Sequence, residues 1–196
     1  MDKHIFVASP MYGGQAFGYY VQGLLQMQNV MQQAQTPMTV SFVFNESLIQ
    51  RGRNLLASQF IKGNFSHLMF IDADQKFVAN DIARMIKADK GVIGGAVPMK
   101  GINWNKVRQG AVLNHPRLDL LTGIFNVNKL DGIDMIDPNL PFQVKHVGTG
   151  FMLIRRDVFE KLKPHVGWYK NGGNSVNPED QVYDFFKVQN VNNELL

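Results

Sequence analysis

Asp72 and Asp74 are the pair of side chains best placed to do chemistry in this sequence. They follow directly on the apolar run 68–71, and a continuous apolar run is what a parallel strand buried on both faces displays. The carboxyl end of such a strand is where ligands bind in open α/β sheets. Side chains two apart on an extended chain point the same way, so both carboxylates can approach one ion. Their mutual repulsion calls for a positive charge between them. Mg²⁺ and Mn²⁺ prefer oxygen ligands, and Mg²⁺ is usually held by one or two carboxylates, with phosphate oxygens and water completing the shell. The expected chemistry is a divalent cation bridging a diphosphate, where it offsets the charge that builds on a departing nucleoside diphosphate. A solvated turn is the plain alternative, because Asp-x-Asp is a common pattern.

A rival for the same residues is the aspartyl-phosphate motif of the haloacid dehalogenase phosphatases, in which a carboxylate after a strand attacks phosphorus. That motif lies on the first core strand, with a small hydroxyl or aliphatic residue two positions after the second Asp. Here the strand is the third of the chain and the residue is Lys76, so this reading is set aside.

The rest of the composition narrows the field. The chain has 196 residues and no Cys, which excludes thiolate metal sites, disulfides and cysteine nucleophiles. With 45% hydrophobic and 18% charged residues it reads as one ordinary globular domain. The formal charge is +4 and the sequence pI about 9.3, values that mark a nucleic-acid binder when basic residues gather on one face. Here they alternate with acids, as over 81–90, so the charge reads as mild attraction for an anionic substrate, and no nucleic-acid partner is expected. Residues 1–10 hold only the short apolar run 5–8, and no segment approaches the roughly 20 apolar residues of a membrane span. A soluble cytoplasmic protein without an integral membrane segment is expected.

The elements that must position the acids alternate in the manner of βαβ units around a mostly parallel sheet. Strands are expected over 4–9, 39–44, 67–71 and 92–97. A helix over 17–34 groups Phe17, Val21, Leu24, Leu25 and Met31 on one face. A second helix, capped by Ser47 with Gln50 and ended by Gly63, turns Leu48, Leu55, Leu56 and Phe60 inward. A third starts at Asn80, buries Ile82, Met85 and Ile86, and stops at Gly91. Beyond Pro98 the alternation fails: 101–114 and 131–141 carry loop chemistry, 121–127 and 143–147 read as strand-like, and 167–179 reads as a loop. A buried strand over 151–155 then leads into a helix over 158–163 with Asp157 and Glu160 as a capping pair.

Several segments in this order resemble glycosyltransferases of the GT-A fold. Ala8-Ser9-Pro10-Met11-Tyr12 resembles their nucleotide-binding opening, and the stretch from Gln50 through Arg53-Asn54 to Ala57 resembles the Arg-Asn helix of family-two-like members. Phe70-Ile71-Asp72-Ala73-Asp74 resembles the metal motif. The stretches from Gly94 to Lys100 and from Val147 through Gly148-Thr149-Gly150 to Arg156 resemble strands lining the sugar and acceptor side. The likeness extends over most of the chain and is closest to compact transferases of bacteriophages and large algal viruses, which implies action in the cytoplasm of an infected host cell.

The resemblance implies a single GT-A (Rossmann-like) domain over 1–196, with a nucleotide-sugar half at 1–100 and an irregular acceptor half at 101–196. It implies transfer of a sugar from a nucleoside-diphosphate sugar, UDP-linked by preference, to a glycan or other hydroxyl acceptor, with inversion and with Mn²⁺ or Mg²⁺ as cofactor. Pro10 and Tyr12 would contact the nucleoside, Arg53 the base or phosphate, and Asp72 the ribose and metal. Asp74 would ligate the metal directly, with His146 as a further ligand. Lys100 would neutralise phosphate or bind the sugar, and Gly148 and Gly150 would let the backbone approach the substrate. Plainer roles stand beside these: packing for Tyr12, a solvated charge for Arg53 and Lys100, turns for the glycines and a structural His146. The catalytic base is either Glu179 or Asp180, or a carboxylate beyond Leu196, since 192–196 reads as a cut. A non-catalytic nucleotide-sugar or glycan-binding module of the same fold is the alternative function.

Overall fold

Alternate residues of the first strand face opposite layers, and that alternation organises the structure around it. The computed structural model describes residues 3–125, 127–132, 137, 140–171, 181–191, 194 and 195. The chain divides into two compact units, Met1–Ile93 with Met152–Leu196, and Gly94–Phe151. In chain order the elements begin with β1 (Ile5–Met11), α1 (Gly18–Gln33), β2 (Met38–Phe44), α2 (Ile49–Lys62) and β3 (His67–Ile71). Then come α3 (Ala79–Ala88), β4 (Val92–Gly94), α4 (Trp104–Val112), β5 (Asn128–Lys129) and β6 (Val144–His146). The chain continues with β7 (Phe151–Arg155), α5 (Arg156–Leu162), β8 (Trp168–Lys170), β9 (Gln181–Tyr183), β10 (Asn190–Val191) and β11 (Glu194–Leu195).

Five strands form one sheet in the order β2-β1-β3-β7-β4. β1 runs parallel to β2, from Ile5 opposite Met38 to Met11 opposite Phe44, and parallel to β3, from Ile5 opposite His67 to Ala8 opposite Phe70. β7 is reversed: the Arg155 amide donates to the Gly91 carbonyl at 2.9 Å, the Gly95 amide to Phe151 at 3.0 Å, and the Arg156 amide to Ser66 at 2.9 Å. The α/β expectation of a mostly parallel sheet flanked by helices is therefore met.

Ser9 of β1 faces α1, where its hydroxyl and that of Tyr20 share a 2.6 Å hydrogen bond. Phe6 faces the opposite layer, its ring 6.1 Å from that of Phe60 on α2. Phe60 in turn meets Phe159 of α5 at 5.3 Å. Every residue of β3 is buried, as the unbroken apolar run requires of a strand covered on both faces. Each large apolar side chain sequestered here is worth roughly 1.5–3 kcal/mol relative to exposure.

Several local expectations are corrected. The buried stripe of α1 is Tyr20, Gly23, Met27 and Met31, while Phe17, Val21 and Leu25 are exposed. Apolar residues surround this helix, and the contacts offered by Ser9 and Phe77 select the face. Ser47 does not cap α2; the Glu46 carboxylate accepts from the Leu48 amide at 3.0 Å, and Leu48 is exposed. α3 runs Ala79–Ala88 and is closed by Asp89, which takes the left-handed conformation at φ 48, ahead of Gly91. Asp157 and Glu160 pair with Arg155 and Arg156 and do not cap α5.

In the second unit, the expected loop at 101–114 contains helix α4, nucleated by Asn103, whose side chain accepts from the Lys106 amide at 3.1 Å. Among the described residues of the stretch expected as strand-like at 121–127, Leu121 ends a tight helical turn (Leu118–Leu121) and Phe125 bridges to Pro98. β5 and β6 pair antiparallel, with Asn128 opposite His146. In the first unit, β8 and β9 form a second antiparallel pair, so part of the expected loop at 167–179 is strand.

Candidate functional site

The strand order marks a candidate position before any side chain is considered. From β1 the chain passes through α1 to β2 on one side, then through α2 to β3 on the other side of β1. The connections thus diverge between the carboxyl ends of β1 and β3, the topological switch point where open α/β sheets bind ligands. Continuing the β1–β3 register past Ala8 opposite Phe70 brings Pro10 level with Asp72. Pro10 faces α2 at Gly52, where an added Cβ would lie 3.8 Å from the proline ring. Tyr12 begins the helical turn that follows β1 and is 73% exposed, which leaves its ring free to meet a ligand.

Arg53 occupies the inner face of α2 and is only 4% exposed. Its Nη2 donates to Asp72 Oδ1 at 2.8 Å, and its guanidinium lies over the Phe70 ring at 5.2 Å. The Asp72 side chain keeps 33% of its surface accessible. Arg53 Nη1 is buried and has no hydrogen-bond partner among the described residues. An unsatisfied buried donor costs about 1–3 kcal/mol, more when charged, so such a group signals either strain or a missing ligand. At the switch point of the sheet, the ligand it fits is an anionic oxygen.

The loop after β3 does not continue extended. The Gln75 amide donates to the Asp72 carbonyl at 3.1 Å, folding Ala73 and Asp74 into a turn, so the side-by-side projection expected of an extended chain does not apply. Nor does Asp72 depend on a metal for charge compensation, since Arg53 supplies it. Helix α1 holds this loop in place. The Phe17 amide donates to the Ala73 carbonyl at 2.9 Å, and Phe77 lays its ring against Gly23, where a Cβ would come within 2.7 Å of the ring. Phe77 also meets Tyr20 at 6.1 Å, and burial of Tyr20 pushes its hydroxyl pKa up. The carbonyl and side chain contacts leave Asp74 exposed at the rim.

Pro10, Tyr12, Arg53, Asp72 and Asp74 therefore lie in one unit, on β1, α2 and β3 or the turns that follow the two strands. Lys100, His146, Gly148 and Gly150 belong to the other unit: Lys100 is exposed after the Pro98 bridge, His146 is exposed at the end of β6, and Gly148 has open space where a Cβ would be. Glu179 and Asp180 lie outside the described residues.

Sequence reasoning missed a buried polar band on α2 beside Arg53. Asn54 is 1% exposed; its Nδ2 donates to Asp184 Oδ1 at 2.8 Å and its Oδ1 accepts from the Phe186 amide at 2.9 Å. Ser58 Oγ accepts from the Tyr183 amide at 3.2 Å. Burial likewise pushes the Tyr169 hydroxyl pKa up, with Asn54 opposing the rise. The signal available was Arg53-Asn54 and Ser58 on the same helix as Leu56 and Phe60, since polar residues on a core-facing helix require partners.

Among the described residues, no group of three or more His, Asp or Glu converges to form a complete metal cage. The exposed Asp74 carboxylate is of the hard oxygen type that Mg²⁺ or Mn²⁺ takes when phosphate and water oxygens complete the shell. The unpartnered Arg53 nitrogen fits the anion that would accompany such an ion. No helix among the described residues is long and apolar enough to cross a membrane. Compared with protein-family models and with curated proteins, the chain matches none.

Proposed function

We propose that the rim of the first unit binds a nucleoside-diphosphate sugar together with Mn²⁺ or Mg²⁺, and that the chain is a glycosyltransferase of the GT-A fold. The observation that carries the reading is Arg53: a buried guanidinium beside Asp72 at the switch point, with one nitrogen unpartnered. What supports the fold assignment is the acid pair at the carboxyl end of a central strand in a mostly parallel sheet. Asp74 is the direct metal ligand. Asp72 is held by Arg53 and faces the ribose and the ion, while Arg53 Nη1 donates to a phosphate oxygen. Exposed Tyr12 stacks on the base, uracil by preference, and Pro10 contacts the nucleoside.

The bound cation supplies Lewis-acid stabilisation of the departing diphosphate. In the transfer itself, an acceptor hydroxyl of a glycan bonds to the anomeric carbon as the bond from that carbon to the diphosphate oxygen breaks. The hydroxyl proton passes to a carboxylate base, and the configuration inverts.

The test is a thermal-shift series with uridine nucleotides, with and without Mn²⁺. A ligand that binds only the native state raises its stability by about 2.7 kcal/mol at a hundredfold excess over Kd. Asp74→Ala should abolish the metal-dependent part of the shift. A wild-type protein unmoved by any nucleotide-metal combination removes the assignment.

A further inference from the structure

Arg53 is not held in place by Asp72 alone. The Phe70 ring lies under the guanidinium at 5.2 Å, and Phe186 packs on Phe70, perpendicular to it with ring centroids 5.2 Å apart. Phe186 comes from a turn more than a hundred residues downstream, and that turn is fixed to the very next residue of α2. The Phe186 amide donates to Asn54 Oδ1 at 2.9 Å, and Asn54 Nδ2 reaches Asp184 Oδ1 at 2.8 Å. The Asp184 amide is itself tied to the Gly167 carbonyl at 2.9 Å, which anchors the turn to the chain just before β8.

A guanidinium with one hydrogen-bonded nitrogen and one buried nitrogen lacking a partner gains by turning until both are satisfied. Here the guanidinium lies over the Phe70 ring, and Phe186 packs edge-on against that ring. We propose that Phe186 is a positioning residue for Arg53, and that Asn54 is the latch that keeps Phe186 against Phe70. Docking of the 184–186 turn on α2 then decides how the unpartnered Arg53 nitrogen is presented to an anionic ligand. The identity of that anion rests on the nucleoside-diphosphate reading; the positioning itself does not.

The experiment pairs Phe186→Leu with a control, Phe65→Leu. Phe65 packs on Phe6 and His4 at the amino end of β3, away from Asp72. Two readouts are taken on the full chain: affinity for uridine diphosphate with Mn²⁺ by calorimetry, and rotation of the Arg53 Nη groups by ¹⁵N NMR. Expected are a roughly tenfold weaker affinity for Phe186→Leu, no further effect of that change in an Arg53→Lys background, and Nη signals that are separate in wild type but merged in the variant. Phe65→Leu should lower Tm while leaving affinity within twofold and the Nη signals separate. Unchanged affinity or unchanged Nη rotation in Phe186→Leu overturns the proposal, as does an equal loss in Phe65→Leu. If wild type binds no uridine diphosphate, the nucleotide reading falls, and the NMR comparison alone decides the positioning.

Discussion

Replacing Arg53 with Met separates the stabilising role of this side chain from the ligand-binding role proposed for it. The change removes one charge-assisted hydrogen bond to Asp72, worth about 1.5–3 kcal/mol, and a cation–π contact with Phe70, worth about 1 kcal/mol. Against this, it removes a buried nitrogen without a partner, a cost of about 1–3 kcal/mol, and the desolvation of a guanidinium that methionine of similar length avoids. Asp72 keeps 33% of its side chain accessible, so water can take over its carboxylate. The terms nearly cancel, and the expected stability of Arg53→Met lies within about 1.5 kcal/mol of wild type in either direction, which at roughly 2–4 °C per kcal/mol is a Tm change of no more than about 6 °C. The nucleotide-dependent shift should disappear. The assay is urea unfolding followed by circular dichroism, with a thermal-shift measurement in uridine diphosphate and Mn²⁺. A loss of more than about 3 kcal/mol with the nucleotide shift intact would falsify the reasoning, because Arg53 would then be a structural group.

Arg156 is the contrasting arginine: its guanidinium donates to the carbonyls of Ile61 and Gly63 at 2.8 Å and of Phe65 at 3.2 Å, closing the end of α2. Arg156→Met should cost about 2–4 kcal/mol in urea unfolding and leave nucleotide affinity unchanged within twofold. Gly23→Ala pushes a Cβ to 2.7 Å from the Phe77 ring, so it should displace the acid loop, lowering both Tm and the Mn²⁺-dependent shift; a change in neither means that Phe77 does not anchor the loop. His67 is buried beside Ser66 Oγ at 2.9 Å, and burial, with Lys3 and Arg155 adding to it against the opposing Asp89 and Asp157, holds its pKa below the ordinary imidazole value. The unfolded chain then takes up the proton first, so stability is full above about pH 6.5 and falls as pH drops from there toward the depressed value. Unfolding free energies of wild type and His67→Gln at pH 7.5 and 5.5 should show a smaller pH dependence in the variant, and equal dependences contradict the assignment.

β3 was readable to the residue because an unbroken apolar run ending in polar residues admits one position in the sheet, whichever neighbours pair with it. That Asp72 follows this strand was legible too; the turn that takes Ala73 and Asp74 out of the extended chain was not, nor was the partner of Asp72, since Arg53 reaches it across 19 positions and only the packing of α2 on the sheet brings them together. The rotation of α1 was hidden because Phe17, Val21 and Leu25 offer as plausible a stripe as Tyr20, Met27 and Met31; the choice is made by Phe77 seeking the gap at Gly23. Helix α4 was obscured by the Gly and Asn residues around it, although Asn103 was its capping signal. The switch point became visible only with the strand order, which no local pattern encodes.

Crystals grown with uridine diphosphate and Mn²⁺, with the metal located by its anomalous scattering, test the central claim most directly. The expected result is a Mn²⁺ ion at about 2.1 Å from the Asp74 carboxylate and from diphosphate oxygens, with Arg53 Nη1 donating to the same anion. A nucleotide bound elsewhere, or bound at this rim with no metal on Asp74 and Arg53 Nη1 still alone, contradicts the account.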